Sequence, residues 1–361
     1  MQSIYAFKQN EESSYHLALE KITQDFNDEL LVVGKTEDPR IRREEAAAHE
    51  FLKQTLGRMT GQPDKGFLSE KGALFVEDAL HVYRVKKSKD YLYHKERMLS
   101  EAESIYDRYL FLLLAITEML TDDSAQQRLP VNPVVTCLQQ NGDFKSALKA
   151  HNISIDPTLV KAWRKQLKKD EIAPLLTNTY QDFEAAKEIV RTVIKDFLFK
   201  NEIVVAYFEE DDLSWSENRS VVKSLLNNTI KAIEEANCTQ TPLNLLSKNW
   251  DDDKEFFKQL YELFFRYETE YETLISDKTK KWAPERIAVV DKILIVMAVA
   301  EILHFSSIPI KVTINEYIEI SKTYSTPKSW QYINGMLDEI VRTLEEQGKI
   351  RKSGRGLIDN K

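Results

Sequence analysis

Apolar residues recur every three or four positions through most of this chain, the period of a helix buried on one face. Trp330, Ile333, Leu337, Ile340 and Leu344 form one such stripe, with Thr326 and Pro327 ahead of it as cap and first helical residue and Gly348 suited to its stop. Before it, Pro309 halts one helix, and Thr313 with Glu316 reads as a capping box opening a short helix through Ile320. Residues 293–300 are an unbroken apolar run, too short to span a bilayer and closed by Glu301 and His304, which predicts a core helix over residues 286–303. Phe256, Phe257, Leu260, Leu263, Phe264, Tyr267, Tyr271 and Leu274 make the wide aromatic stripe of another long helix.

The first half is more broken. Met1, Ile4, Tyr5 and Lys8 share one side of an opening helix that begins without a cap. Glycines and prolines between residues 34 and 72, among them Pro39 and Pro63, predict loops around one helix at about residues 41–59. Helices at about residues 73–85 and 91–120 are expected to form a hairpin. Pro130, Pro133, Gly142, Pro157 and Pro174 mark a second broken region with two short helices, and helical periodicity returns over residues 180–207 and 218–236. No strand alternation, internal repeat or low-complexity tract is visible. With 10 glycines and 10 prolines in 361 residues and 42% hydrophobic content, an all-α protein with a real core is expected.

Charge changes the picture more than composition does. The net charge is -8, yet residues 276–361 hold 14 basic against 11 acidic side chains, so the preceding 275 residues carry a net of -11. A basic C-terminal third is the side able to steer a polyanion. Cys137 and Cys238 stand far apart with no further thiol or histidine at ligand spacing, which argues for neither a zinc site nor a disulfide and fits a reducing cytoplasm. No secretory pattern opens the chain.

Catalytic motifs fail on inspection. Gly34-Lys35-Thr36 would need a glycine where Glu29 stands to be a P-loop, and His49-Glu50 would need a histidine where Lys53 stands to be a zinc-protease motif. Scattered histidines give no nucleophile–base set. The reading is a binding protein without catalysis, cofactor or metal.

Residues 308–340 then contain Ile308-Pro309, Lys311-Val312, Ile314-Asn315-Glu316, Ser321-Lys322, Ile333-Asn334-Gly335 and Leu337-Asp338, preceded by Asp291-Lys292 and Glu301 on the apolar helix. In this order and spacing they resemble the C-terminal signature of the NusB family, bacterial transcription antitermination factors that bind boxA RNA together with the small ribosomal protein NusE. The resemblance implies an all-α, NusB-like helical bundle with an inserted helical module: residues 1–30 packing on the bundle, 31–175 inserted, 176–345 the RNA-binding domain and 346–361 a basic flexible tail. The family's first helix normally follows an arginine-rich turn that contacts RNA; here Met1 opens in mid-helix, so either the start lies upstream of Met1, the favoured expectation, or the protein lacks that RNA contact.

RNA recognition requires cations for phosphates and aromatic or amide groups for splayed bases. The resemblance points to Tyr5, Lys8, Lys311, Asn315, Lys322, Lys328 and Tyr332, with Arg351, Lys352 and Arg355 on the tail, and to Asp291 and Glu316 for partner contact. Lys328 stands where many family members have an acid. Plain structural readings compete: Lys322 as a solvated helix residue, Tyr332 as packing, Asn315 and Asn334 as hydrogen-bonding supports with Gly335 suiting close helix approach, the tail as a solubilising end. Glu301 is expected to make an internal hydrogen bond. Residues 83–97 interleave tyrosines with lysines and arginines, which fits a nucleic-acid face or a solvated helix equally. The implied partners are single-stranded boxA RNA, NusE and the RNA polymerase antitermination complex. Two rivals remain: a ribosomal RNA cytosine methyltransferase with a NusB-like domain, which would need a downstream methyl-donor domain, and a scaffold that binds NusE or another protein through the inserted module.

Overall fold

A computed structural model describes residues 1–61, 66, 68–121, 131–176, 180–278 and 287–360. Every regular element among them is helical. Pro63, Pro130 and Arg286, which entered the sequence reading, lie outside the described residues. The chain divides into two compact units, residues 1–98 with 254–361, and residues 99–253. These divisions differ from the segment limits read from sequence.

In the first unit, α1 (Gln2–Val32), α2 (Pro39–Thr55) and the early part of α3 (Glu70–Leu120) enclose one core. Tyr15, Ala18, Ile22, Phe26 and Leu30 on α1 meet Ala48 and Leu52 on α2 and Val76, Ala79 and Tyr83 on α3. Asp38 caps α2 by accepting the Arg40 N–H at 2.9 Å, with Pro39 at the first position where its missing N–H costs nothing. A separate core joins Ile4 to α11 (Trp250–Lys278), α12 (Val289–His304), α13 (Ile310–Tyr324) and α14 (Ser329–Glu346). Residues 293–302 on α12 are all buried, as the unbroken apolar run requires.

The expected hairpin at residues 85–91 is instead continuous helix within the 51-residue α3. Lys86 to Asp90 contains no glycine or proline, and its polarity marks a solvated stretch of helix rather than a turn. Part of the basic-aromatic segment 83–97 turns inward: the Tyr83 hydroxyl donates to Glu11 at 3.1 Å, Lys87 pairs with Glu11, Lys95 pairs with Glu262 at 2.6 Å, and the Tyr91 carbonyl accepts from Tyr261 at 3.1 Å, while Arg84, Lys86, Lys89, Tyr93 and Arg97 stay exposed.

In the second unit the later part of α3 packs with α4 (Pro133–Gln140), α5 (Gly142–Ala150), α6 (Pro157–Leu167), the short α7 (Ala173–Leu176), α8 (Phe183–Thr192), α9 (Glu202–Asp211) and α10 (Trp215–Ala232). The helix read over 180–207 is broken: α8 runs into a wide turn at Val193–Leu198, and Asn201 caps α9 by accepting the Ile203 N–H. Trp215 stacks on Phe208 with centroids 4.4 Å apart. Cys137 on α4 and Cys238, in the 3-10 segment Glu235–Gln240, form a disulfide, which corrects the expectation that they stay unpaired. Spacing in sequence gave no access to this pairing, because it is the packing of the segment after α10 against α4 that brings the sulfurs together. No helix among the described residues is long and apolar enough to cross a membrane.

Candidate nucleic-acid interface

The turn from α12 into α13 departs from the expected capping. Pro309 is itself the N-cap of α13, and Thr313 sits one turn inside, fully buried. Its hydroxyl donates to Glu301 Oε1 at 2.7 Å while the Tyr317 hydroxyl donates to Glu301 Oε2 at 3.1 Å. Glu301 thus makes internal hydrogen bonds, and burial outweighs them to hold its carboxyl above the usual carboxylate range. Glu316 is exposed and caps nothing. The helix runs on to Tyr324 rather than stopping at Ile320.

This internal anchoring fixes what α13 turns outward. Lys311, Asn315 and Lys322 are exposed, and their spacing of four and seven residues puts them on one helix face over about 16 Å. Lys322 pairs with Glu319 at 2.5 Å and lies 5.7 Å from the ring centroid of Trp330, which is itself exposed. Trp330, expected as the first member of the buried stripe, falls in the first turn of α14; of that stripe Ile333, Leu337, Ile340 and Leu344 turn inward, joined by Met336 and Val341. Lys328 is exposed at the N-cap of α14, with no ion pair among the described residues. Thr326 does not cap that helix by its backbone donors; its hydroxyl meets the Ser329 hydroxyl at 2.8 Å.

Other sequence-selected residues are placed differently. Asp291, expected on the partner side, is buried, accepting from Ser325 Oγ at 2.5 Å and Ser329 Oγ at 2.7 Å. Tyr332 packs against the core, its hydroxyl pushed up to about 12 by burial and by the Asp291 carboxylate. Lys8 is held by Glu268 at 2.7 Å and Glu11 at 3.1 Å; burial opposes its charge, and the two carboxylates outweigh burial and raise its pKa. Tyr5 is exposed on α1. Gly335 is exposed, and among the described residues nothing lies within 4 Å of the position a Cβ would take, so the expected close helix approach is not seen there. Asn334 donates to Asp338 at 3.4 Å within α14.

Over its basic part the tail packs against the turn between α12 and α13. α14 ends in a Schellman motif, with Gly348 at φ +65°, its N–H on the Glu345 carbonyl and the Lys349 N–H on the Leu344 carbonyl. Lys352 Nζ then donates to the Phe305 carbonyl at 3.1 Å, and the Ser353 N–H and hydroxyl bond Ser306 at 2.9 Å each. Gly356 passes so close to the Ser306 carbonyl that a Cβ would collide with it. Arg351 and Arg355 stay exposed on this strap. The arrangement therefore presents cations at the start of α13 and at its end, with an amide and an exposed indole between and beside them.

A model of the NusB family matches residues 216–342, and a 104-residue stretch is 38% identical to the transcription antitermination protein NusB of Dictyoglomus turgidum, covering 29% of this chain and 70% of that protein. The chain belongs to the NusB family. The NusB proteins of Salinibacter ruber and Chloroherpeton thalassium are each 39% identical to it, over 105 and 106 residues, 29% of this chain and 66% and 50% of theirs. The chain thus spans less than two thirds of the length of these two relatives. No solved structure matches it. The NusB match takes in α10 but for its first residue, α11 to α13 and most of α14, hence Lys311, Asn315, Lys322, Lys328 and Trp330, while the tail lies beyond it.

Trp330 is the member that sequence reasoning missed. The signal available was its position beside Ser329 at the very start of the stripe, where a helix has not yet gained a neighbour to bury against.

Proposed function

We propose that this protein is a non-catalytic, cytoplasmic transcription antitermination factor that binds boxA RNA together with NusE and joins the RNA polymerase antitermination complex on ribosomal RNA operons. The observation that carries the reading is the outward face of α13, with Lys311, Asn315 and Lys322 aligned and Lys328 and Trp330 at its far end, inside the region that matches the family. Cations spaced along a helix meet phosphates, and an exposed indole offers a surface on which a base stacks. Arg351 and Arg355 extend the cationic surface at the near end, and Glu316, exposed on α13, is the acidic position left for NusE. That these relatives are transcription antitermination proteins supports the antitermination part of the reading.

The test is a titration of labelled boxA-type RNA, with and without NusE and against a scrambled RNA, at two salt concentrations. Selective binding that NusE strengthens, with a salt slope of about -0.7 per phosphate contacted, supports the reading. A scaffold reading has its own support: Lys8 is engaged in ion pairs, and residues 99–253 hold 25 acidic against 17 basic side chains. NusE binding without RNA selectivity would favour it.

A further inference from the structure

Within the unit of residues 99–253 lies a cavity of about 530 Å³ that the RNA reading does not use. Glu103, Tyr106 and Asp107 line it from one face of α3, at the i, i+3, i+4 spacing that brings side chains together on a helix. His151, just after α5, and residues 245–250, the strap leading into α11, complete the wall. Its two carboxylates are held in fixed orientations: the Trp250 indole N–H donates to Glu103 Oε1 at 3.1 Å, and His151 Nδ1 lies 2.7 Å from Asp107 Oδ1. Each bond uses one oxygen of its carboxylate. Tyr106 is tilted against His151 with centroids 5.2 Å apart, and Leu246 packs on the core beneath.

Two aromatic rings and two oriented carboxylates one helical turn apart, against the one lysine among the described residues of the wall, Lys248, suit a flat, delocalised cation, which stacks by its face and donates from its edge. An anionic ligand would meet repulsion from Glu103 and Asp107. The surroundings carry the same sign: the 25 acidic and 17 basic residues of this unit give it a net of -8, which equals the charge of the whole chain, so the rest is neutral. Such a field draws a basic partner. We propose that this cavity is a recognition site for an arginine side chain presented by a basic protein segment, with the Tyr106 and Trp250 rings flanking the guanidinium and Glu103 and Asp107 accepting its N–H groups. None of its residues belongs to the α13 face, so the proposal stands or falls separately from RNA binding.

The experiment is fluorescence anisotropy of the full chain with a labelled glycine–arginine pentapeptide, compared with the same peptide carrying citrulline, the neutral isostere of arginine. Saturable binding is expected, weakened about tenfold by Glu103→Gln with Asp107→Asn, since two charge-assisted hydrogen bonds become neutral ones. Citrulline is expected to bind as weakly as that variant does. Glu209→Gln with Glu210→Gln removes the same charge from α9 and is expected to change affinity less than about twofold at moderate salt. Titrating the unaltered chain should also shift the Trp250 indole N–H resonance, assigned with Trp250→Phe, which keeps the test open should the double variant unfold. Absence of saturable binding, equal affinity for citrulline, equal weakening by the two charge-matched pairs, or an unmoved Trp250 resonance would each overturn the proposal.

Discussion

Ser329 donates its hydroxyl hydrogen to Asp291 Oδ2 at 2.7 Å, joining the first turn of α14 to the first turn of α12 across 38 residues. Ser325 donates to the other carboxylate oxygen, so one buried acid holds the whole α13–α14 turn. Because Lys322, Lys328 and Trp330 hang on that turn, Asp291 acts on the proposed RNA surface by positioning it. Asp291→Ala is expected to cost about 2–3 kcal/mol, the value of hydrogen bonds to a charged group, read as a lowered urea midpoint. A variant of unchanged stability that loses NusE binding would show that the acid contacts a partner instead.

Trp330 and Lys328 separate stacking from charge. Trp330→Ala removes an exposed ring, so stability should move little while boxA-type RNA binding weakens by about 1–3 kcal/mol if a base stacks there. Lys328→Asp should weaken binding and flatten the salt dependence by about 0.7 or more. Both are checked by the same anisotropy titration at two salt concentrations; unchanged affinity in both variants removes this end of α13 from the RNA path.

The parts legible in the sequence were those decided by local pattern. The α14 stripe from Ile333 to Leu344, the Gly348 stop and the buried run on α12 each follow from neighbours within a few positions. The place of Thr313 is not legible locally, because Thr-x-x-Glu fits a capping box and a mid-helix position equally and only the distant Glu301 decides between them. The ion pair of Lys8 with Glu268, 260 positions away, is likewise set by the fold and invisible to its neighbours in sequence. The α3 hairpin failed for a different reason: a polar stretch without a breaker is compatible with both a turn and a solvated helix.

Acid stability should report the network around Lys8. Burial raises the Glu11 carboxyl, but the hydrogen bond and charge of Lys87 and those of Lys8 outweigh it and hold the pKa at about 2. A carboxyl depressed in the folded state stabilises above its ordinary value of 4.5, and that contribution is lost as pH falls from 4.5 towards 2. Glu268, raised by burial, works oppositely, favouring the folded state below 4.5 and losing that effect as pH rises through its folded value. Comparing urea midpoints at about pH 5 and about pH 3, Glu11→Gln should lose less stability on acidification than the unaltered chain, by about 1–2 kcal/mol after allowing for solvent screening. Equal losses would mean that Glu11 carries no net charge coupling.

The Cys137–Cys238 bond closes 101 residues of the second unit, from α4 to the segment after α10. A cross-link over about 100 residues removes up to about 4.7 kcal/mol of unfolded-state entropy in the chain-entropy model, and native disulfides commonly deliver about 2–4. Asn141 reinforces the same junction by donating to the Thr241 carbonyl at 2.8 Å, so reduction should loosen the strap at residues 241–249 before it unfolds the unit. Reductant should therefore lower the urea midpoint and open this strap to proteolysis, and the variant Cys137→Ser with Cys238→Ser should match the reduced protein and ignore reductant. In a reducing compartment the bond would be open and its stabilisation lost, which makes the oxidation state of the purified chain the controlling variable. Two titratable thiols in the untreated native protein, with no response to reductant, would show that the pair stays reduced.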